Sequence, residues 1–211
     1  MSDPAVETEA DARAQLAKPL GKGRVEAFSD GVIAIIITIM VLELKTPEGF
    51  DLSALLGVKH IFLLYAFSFI YVGIYWNNHH HLLHATHRVT GGVLWANLHL
   101  LFWLSLVPFT TRWVGESYHD GQLATWPTAI YGLSLLTPSL AYAILVQTLI
   151  RANGANSALS KAIGSDRKGW FSTALYVLGI GLTFWQSWAG IACYVLVACI
   201  WLVPDRRIER S

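Results

Sequence analysis

Residues 24–44 read RVEAFSDGVIAIIITIMVLEL, and this stretch decides the fold. From Gly31 to Leu42 it carries no charge, while Arg24, Glu26, Ser29 and Asp30 crowd its first half. A helix of ~20 residues spans the hydrocarbon core of a bilayer. A helix over 24–44 therefore places those four polar residues in its first two turns. An ionisable group there is costly without a partner, so it marks a functional site. The competing reading makes Ser29 or Asp30 the N-cap of a helix that starts later. That leaves only about 14 residues, or ~21 Å at the helical rise, against a core of ~30 Å.

The rest of the chain has the composition that such a helix needs around it. Of 211 residues, 54% are apolar and 14% charged, with nine Trp, eight Tyr and nine Phe. Soluble domains carry about 25% charged residues, so the expectation is an all-α integral membrane protein. A net charge of +1 without a basic stripe argues against a nucleic-acid partner. Cys193 and Cys199 both fall in the last apolar run and read as packing residues. The first 20 residues lack the basic-then-apolar order of a secretory signal.

Six apolar segments follow in order, at about 24–44, 52–83, 92–113, 127–150, 169–186 and 189–203. Together they make a six-helix transmembrane domain over 21–204, with tails at 1–20 and 205–211. Thr46-Pro47-Glu48-Gly49 ends the first. Pro108 interrupts the third late, Pro127 suits a first helical turn, and Pro138 should kink the fourth. The last two are joined so closely that they should form a tight helical hairpin. With six spans both termini share one side, and twelve of the fifteen Lys and Arg fall on it. Only Lys45, Lys59 and Arg112 lie opposite. The positive-inside rule then makes both termini and both tails cytoplasmic. The polar start of the first span lies at the depth of the polar end of the second, Trp76-Asn77-Asn78-His79-His80-His81.

A helical wheel at about 100° per residue sorts the first span. With Ile35 at 0°, Thr38, Ile39 and Leu42 share its side, while Asp30 and Ser29 point elsewhere. If the stripe faces a central axis, Asp30 points back toward the second span. The histidine run suggests another chemistry: His80 and His84 have HxxxH spacing, which suits a metal on a helix. The remaining histidines are isolated, and Asp30 is the one carboxylate expected nearby. Tyr71-Val72-Gly73-Ile74-Tyr75 looks faintly like a potassium-channel filter, but it sits inside an unbroken apolar helix and no TVGYG occurs in the chain.

Arg24-x-x-x-Phe28-Ser29-Asp30-Gly31, with Ala34-Ile35 and then Thr38 to Glu43, resembles the signature of the transmembrane protein 175 family of potassium channels. Trp76-x-Asn78-His79-His80 resembles that family's second motif. Animal members carry two six-span units and this chain carries one, so it resembles the prokaryotic form. The resemblance implies a homotetramer in the cell membrane that passes monovalent cations, potassium above sodium, without a TVGYG filter. The first span of each subunit would line the pore. The resemblance also implies that apolar rings at Ile35, Ile39 and Leu42 constrict it, with Thr38 at the hydroxyl position linked to potassium preference. Arg24, Phe28, Ser29, Asp30, Trp76, Asn78, His79 and His80 would form the intrasubunit network that holds the first span. His81 and Asn77 depart from the motif and leave open which polar groups meet Ser29 and Asp30. It implies no catalytic residue, no bound metal and no cofactor beyond permeant potassium. Rival readings are a membrane metalloenzyme built on the histidines and a secondary transporter.

Overall fold

The computed structural model describes residues 21–154, 160 and 167–202. The tails at 1–20 and 205–211 lie outside the described residues. So do Arg13, Lys18, Lys161, Arg206, Arg207 and Arg210 from the charge count that oriented the chain. Helix α1, Lys22–Ile39, begins two residues before the expected span, and its last turn tightens into a 3₁₀ segment, Met40–Glu43. The expected second span divides at Val58 into a short α2, Leu52–Gly57, and a long α3, Lys59–His84. Asp51 caps α2 by accepting from the Ala54 amide at 2.9 Å. The third expected span also divides, into α4, Gly91–Ser105, and α5, Val107–Glu116. The break falls at Leu106, two residues before Pro108, whose missing amide and fixed ring suit the first turn of a new helix.

A two-stranded hairpin follows, β1 (Tyr118–His119) paired antiparallel with β2 (Gln122–Leu123). Asp120 and Gly121 at its turn both take positive φ, as two-residue hairpin turns require. Helix α6, Thr125–Asn153, is the longest, and it runs continuously through Pro138. Helices α7, Arg167–Thr183, and α8, Ser187–Leu202, form the short-connected hairpin that the sequence suggests. Four helical stretches are long and apolar enough to cross a membrane: Lys22–Glu43, Lys59–His84, Gly91–Glu116 and Thr125–Asn153. Helix α8 is apolar but shorter, at 16 residues.

Helix α6 sits at the centre, packed against α4, α5, α7 and α8, while α1 lies against α3 and α4. In a bilayer, apolar burial does little to distinguish helix from lipid, so tight packing and interhelical hydrogen bonds carry association. Both are present. Ser68 on α3 bonds the Thr111 and Tyr131 hydroxyls, each at 2.7 Å. Tyr71 donates to the Leu135 carbonyl at 2.6 Å, and Thr110 meets Ser134 at 2.7 Å. These bonds tie α3 and α5 to α6. The α7–α8 hairpin is closed by glycine: a Cβ on Gly190 would lie 2.9 Å from the Gly179 carbonyl oxygen. Backbone cannot move aside as a flexible side chain can. Gly190→Val is therefore expected to lower the melting temperature in detergent and the yield of folded protein. Val195→Ala, on the exposed face of the same helix, is expected to change neither.

Candidate functional site

Helix α1 presents two faces to two environments. Ile33, Ile36 and Met40 are at most 4% exposed, and Val25 and Ser29 are buried with them. Ile35, Ile39 and Leu42 on the other side are 57%, 41% and 78% exposed, and Thr38 is exposed among them. Phe28, 53% exposed, belongs to this outer face and not to the polar network expected of it. The 3₁₀ turn matters here. Residues three apart eclipse in a 3₁₀ helix, so Leu42 stacks along the axis over Ile39. The Thr38 hydroxyl donates to the Ala34 and Ile35 carbonyls at 2.9 and 3.0 Å. Its proton is thus spent on the helix's own backbone, and its oxygen keeps lone pairs for an outside partner.

The buried face of α1 is held by a directed chain of hydrogen bonds. Ser29 donates to the Val25 carbonyl at 2.8 Å, so its oxygen must accept from elsewhere. It accepts from Asn97 Nδ2 on α4 at 2.8 Å. That fixes the Asn97 amide, whose Oδ1 faces His79 Nε2 on α3 at 2.7 Å. An amide oxygen only accepts, so His79 carries its proton on Nε2. His79, Ser29 and Asn97 are 0%, 0% and 2% exposed. One step round the helix, Trp76 Nε1 donates to Asp30 Oδ1 at 3.0 Å, and His80 Nδ1 lies 3.3 Å from Glu26 Oε1. Lys22 Nζ reaches the His84 carbonyl at 2.6 Å. The beginning of α1 therefore lies beside the end of α3.

The structure thus brings Ser29, Asp30, Trp76, His79 and His80 together and adds Glu26 and Asn97. It does not bring in three of the expected members. Phe28 faces outward. The Arg24 side chain is exposed and bonds no other described residue. Asn78 donates back to the Ile74 carbonyl of its own helix at 2.8 Å. Asn97 is the residue that sequence reasoning missed. Its signal was an amide in the middle of the apolar run Gly92-Val93-Leu94-Trp95-Ala96-Asn97-Leu98, where a polar group needs a partner. At the other end of α1, Glu43 accepts from Arg112 on α5 at 2.9 Å, Arg112 also bonds Glu116, and Lys45 pairs with Glu116 at 3.3 Å. Among the described residues no three His, Cys, Asp or Glu are grouped to hold a metal ion. His80 and His84 stack at 6.2 Å between ring centroids.

Comparison with known proteins places this geometry. Residues 24–108, which take in most of α1 and all of α3 and α4, match the family model described as the endosomal/lysosomal potassium channel TMEM175. A potassium channel from Chryseobacterium sp. (strain P1-3) is 56% identical over 190 residues, covering 90% of this chain and 97% of that protein. The chain belongs to the TMEM175 family. The crystal structure of a lysosomal potassium-selective channel TMEM175 homologue from Chamaesiphon minutus superimposes with a TM-score of 0.74 at 26% identity. The match covers 87% of this chain and 97% of that one. The Bos taurus protein named endosomal/lysosomal proton channel TMEM175 is 42% identical over 88 residues, 36% of this chain and 18% of its own. Within the TMEM175 frame, the match to the family model covers both ends of the Ser29–Asn97–His79 chain.

Two asparagines separate network from periphery. Asn97→Leu strands the His79 Nε2 proton and the Ser29 oxygen in a buried site, at a cost of about 2 kcal/mol. It is expected to lower the melting temperature in detergent by several degrees. Asn78→Leu removes only a bond to its own helix and is expected to shift it far less.

Proposed function

We propose that the protein is a potassium-preferring cation channel of the cell membrane, a homotetramer whose central pore is lined by α1 from each subunit. The observation that carries this is the division of α1 into a buried face held by α3 and α4 and an exposed face bearing Ile35, Thr38, Ile39 and Leu42. Four such faces around an axis give apolar rings at Ile35, Ile39 and Leu42, and rings of this kind close a pore by dewetting. Four Thr38 oxygens, whose hydroxyl protons are turned to the helix backbone, replace part of the water that potassium sheds more readily than sodium. Helices α7 and α8 complete six spans, with both termini in the cytoplasm. The potassium-channel names of the bacterial relatives support the same substrate.

Gating in this reading is a small displacement of α1. A groove of about 420 Å³ runs beside Val32, Ile35, Ile36 and Ile39 and is closed on the far side by Pro108, Phe109 and Arg112. It leaves α1 room to shift while the Ser29 end stays fixed. Glu43 is neutralised by Arg112 and acts as an anchor for the outer end of α1 rather than as a cation-concentrating charge. The metalloenzyme reading gains no support, since no metal-competent cluster exists among the described residues.

The test is cation flux in proteoliposomes under potassium and then sodium gradients. Potassium flux should exceed sodium flux. Ile35→Asn should raise both several-fold by wetting the Ile35 ring. Thr38→Ala should reduce the preference for potassium while leaving total flux within a few-fold. Unchanged flux and unchanged preference in both variants would remove α1 from the pore.

A further inference from the structure

On the side of α3 away from α1 lies a second cavity, of about 660 Å³, enclosed by α3, α6, α7 and α8. Its volume falls in the ~300–1,000 Å³ range of small-molecule sites. It is graded along its length. The deep end is lined by Tyr71, Tyr75 and Tyr176, the middle by Asn78 and Gln147, and the mouth by Arg151 and Lys168. Those two cations stand at the end of α6 and the start of α7, at the end of the bundle where Asn153 bonds the α3–α4 connection. Lys168 Nζ is 4.5 Å from the centre of the Trp201 ring, which holds its charge at the cavity rim. Leu140, Ile144 and Trp170, all lining the cavity, are 44%, 49% and 77% exposed, so its wall opens sideways onto an apolar surface.

We propose that this cavity is a binding site for an anionic phospholipid. The phosphate sits between Arg151 and Lys168, and the upper part of one acyl chain enters between α6 and α7 past Leu140 and Ile144. The charge pattern selects the occupant: a paired positive mouth above an apolar, laterally open cleft matches a headgroup above a tail. Basic pockets between spans on the cytoplasmic side recognise anionic headgroups in this way. The proposal rests on the membrane orientation given above, but its test is independent of ion flux. Helix α3 gives Tyr75 and Asn78 to the cavity and Trp76 and His79 to the α1 network, so the occupant touches the helix that holds the pore-lining element.

The experiment uses the full-length protein in detergent, titrated with phosphatidylglycerol, phosphatidylcholine or inorganic phosphate and read by native mass spectrometry and thermal unfolding. Phosphatidylglycerol should bind saturably at one site per chain and raise the melting temperature. Phosphatidylcholine and phosphate should do neither. Each neutralised cation should weaken binding roughly 5-fold near a membrane surface, so Arg151→Gln with Lys168→Gln should weaken it far more than Arg88→Gln, which lies outside the cavity. Ala143→Trp, which fills the cleft and keeps both charges, should also abolish binding, so a misfolded double variant leaves the test intact. Equal binding of phosphatidylcholine, or full binding by both the double variant and Ala143→Trp, would overturn the proposal. A shift produced by inorganic phosphate alone would make the site one for free anions and overturn the lipid assignment.

Discussion

The bond on which the structure depends is the one from Asn97 to Ser29. It joins α4 to α1 and, through His79, to α3, so three helices share one fixed chain of protons. Its direction is set from the far end: Ser29 donates to its own backbone, so every donor behind it is determined. Each member is buried, and a buried donor or acceptor that loses its partner costs more than a made bond gains. The chain therefore specifies the rotation of α1 about its own axis. A turn of one residue would carry Ser29 away from α4 and bring the Ile35 face into the bundle.

That rotation is what the proposed channel needs. An α1 helix free to roll would present a mixed surface to the axis; a pinned one presents Ile35, Thr38, Ile39 and Leu42 in register. The two ends are held by different physics. The Ser29 end is held by buried, uncharged hydrogen bonds. The Glu43 end is held by an ion pair to the exposed Arg112, which solvent screens and weakens. The stiff end and the soft end sit ~21 Å apart at the helical rise, with a groove alongside. Movement of the Glu43 half is the cheap motion in this design. Helix α3 carries the network on one face and lines the α6–α7 cavity with the other, so the same helix serves both.

Much of this was legible in the sequence because span length and apolar runs are strong signals. The placement of α1, the meeting of its polar start with the end of α3, and the α7–α8 hairpin all follow from them. The break at Leu106 was legible from Pro108, but the one at Val58 was not, since Gly57-Val58-Lys59 holds no proline and lies in what reads as one span. The β1–β2 hairpin was missed because His119-Asp120-Gly121 reads only as a loop between spans. Within the site, neighbouring histidines are alike in composition and unlike in direction. His79 points into the bundle and His80 toward Glu26, a distinction of one residue in helical phase. Phe28 and Asn78 match a motif by type, yet Phe28 faces out and Asn78 bonds its own helix, which no spacing reveals. Asn97 was overlooked because one amide barely lowers the hydropathy of a strongly apolar run.

The central claim, that the exposed face of α1 lines an aqueous pore, is tested most directly by thiol accessibility during flux. In a Cys193→Ser, Cys199→Ser background, Leu42→Cys is reconstituted and potassium flux followed while a charged, water-soluble thiol reagent is added. The account predicts a rapid fall in flux for Leu42→Cys and none for Leu63→Cys, which is also exposed, at 65%, but on α3. Flux that responds at Leu63 and not at Leu42 would contradict it, because water would then run along a different helix.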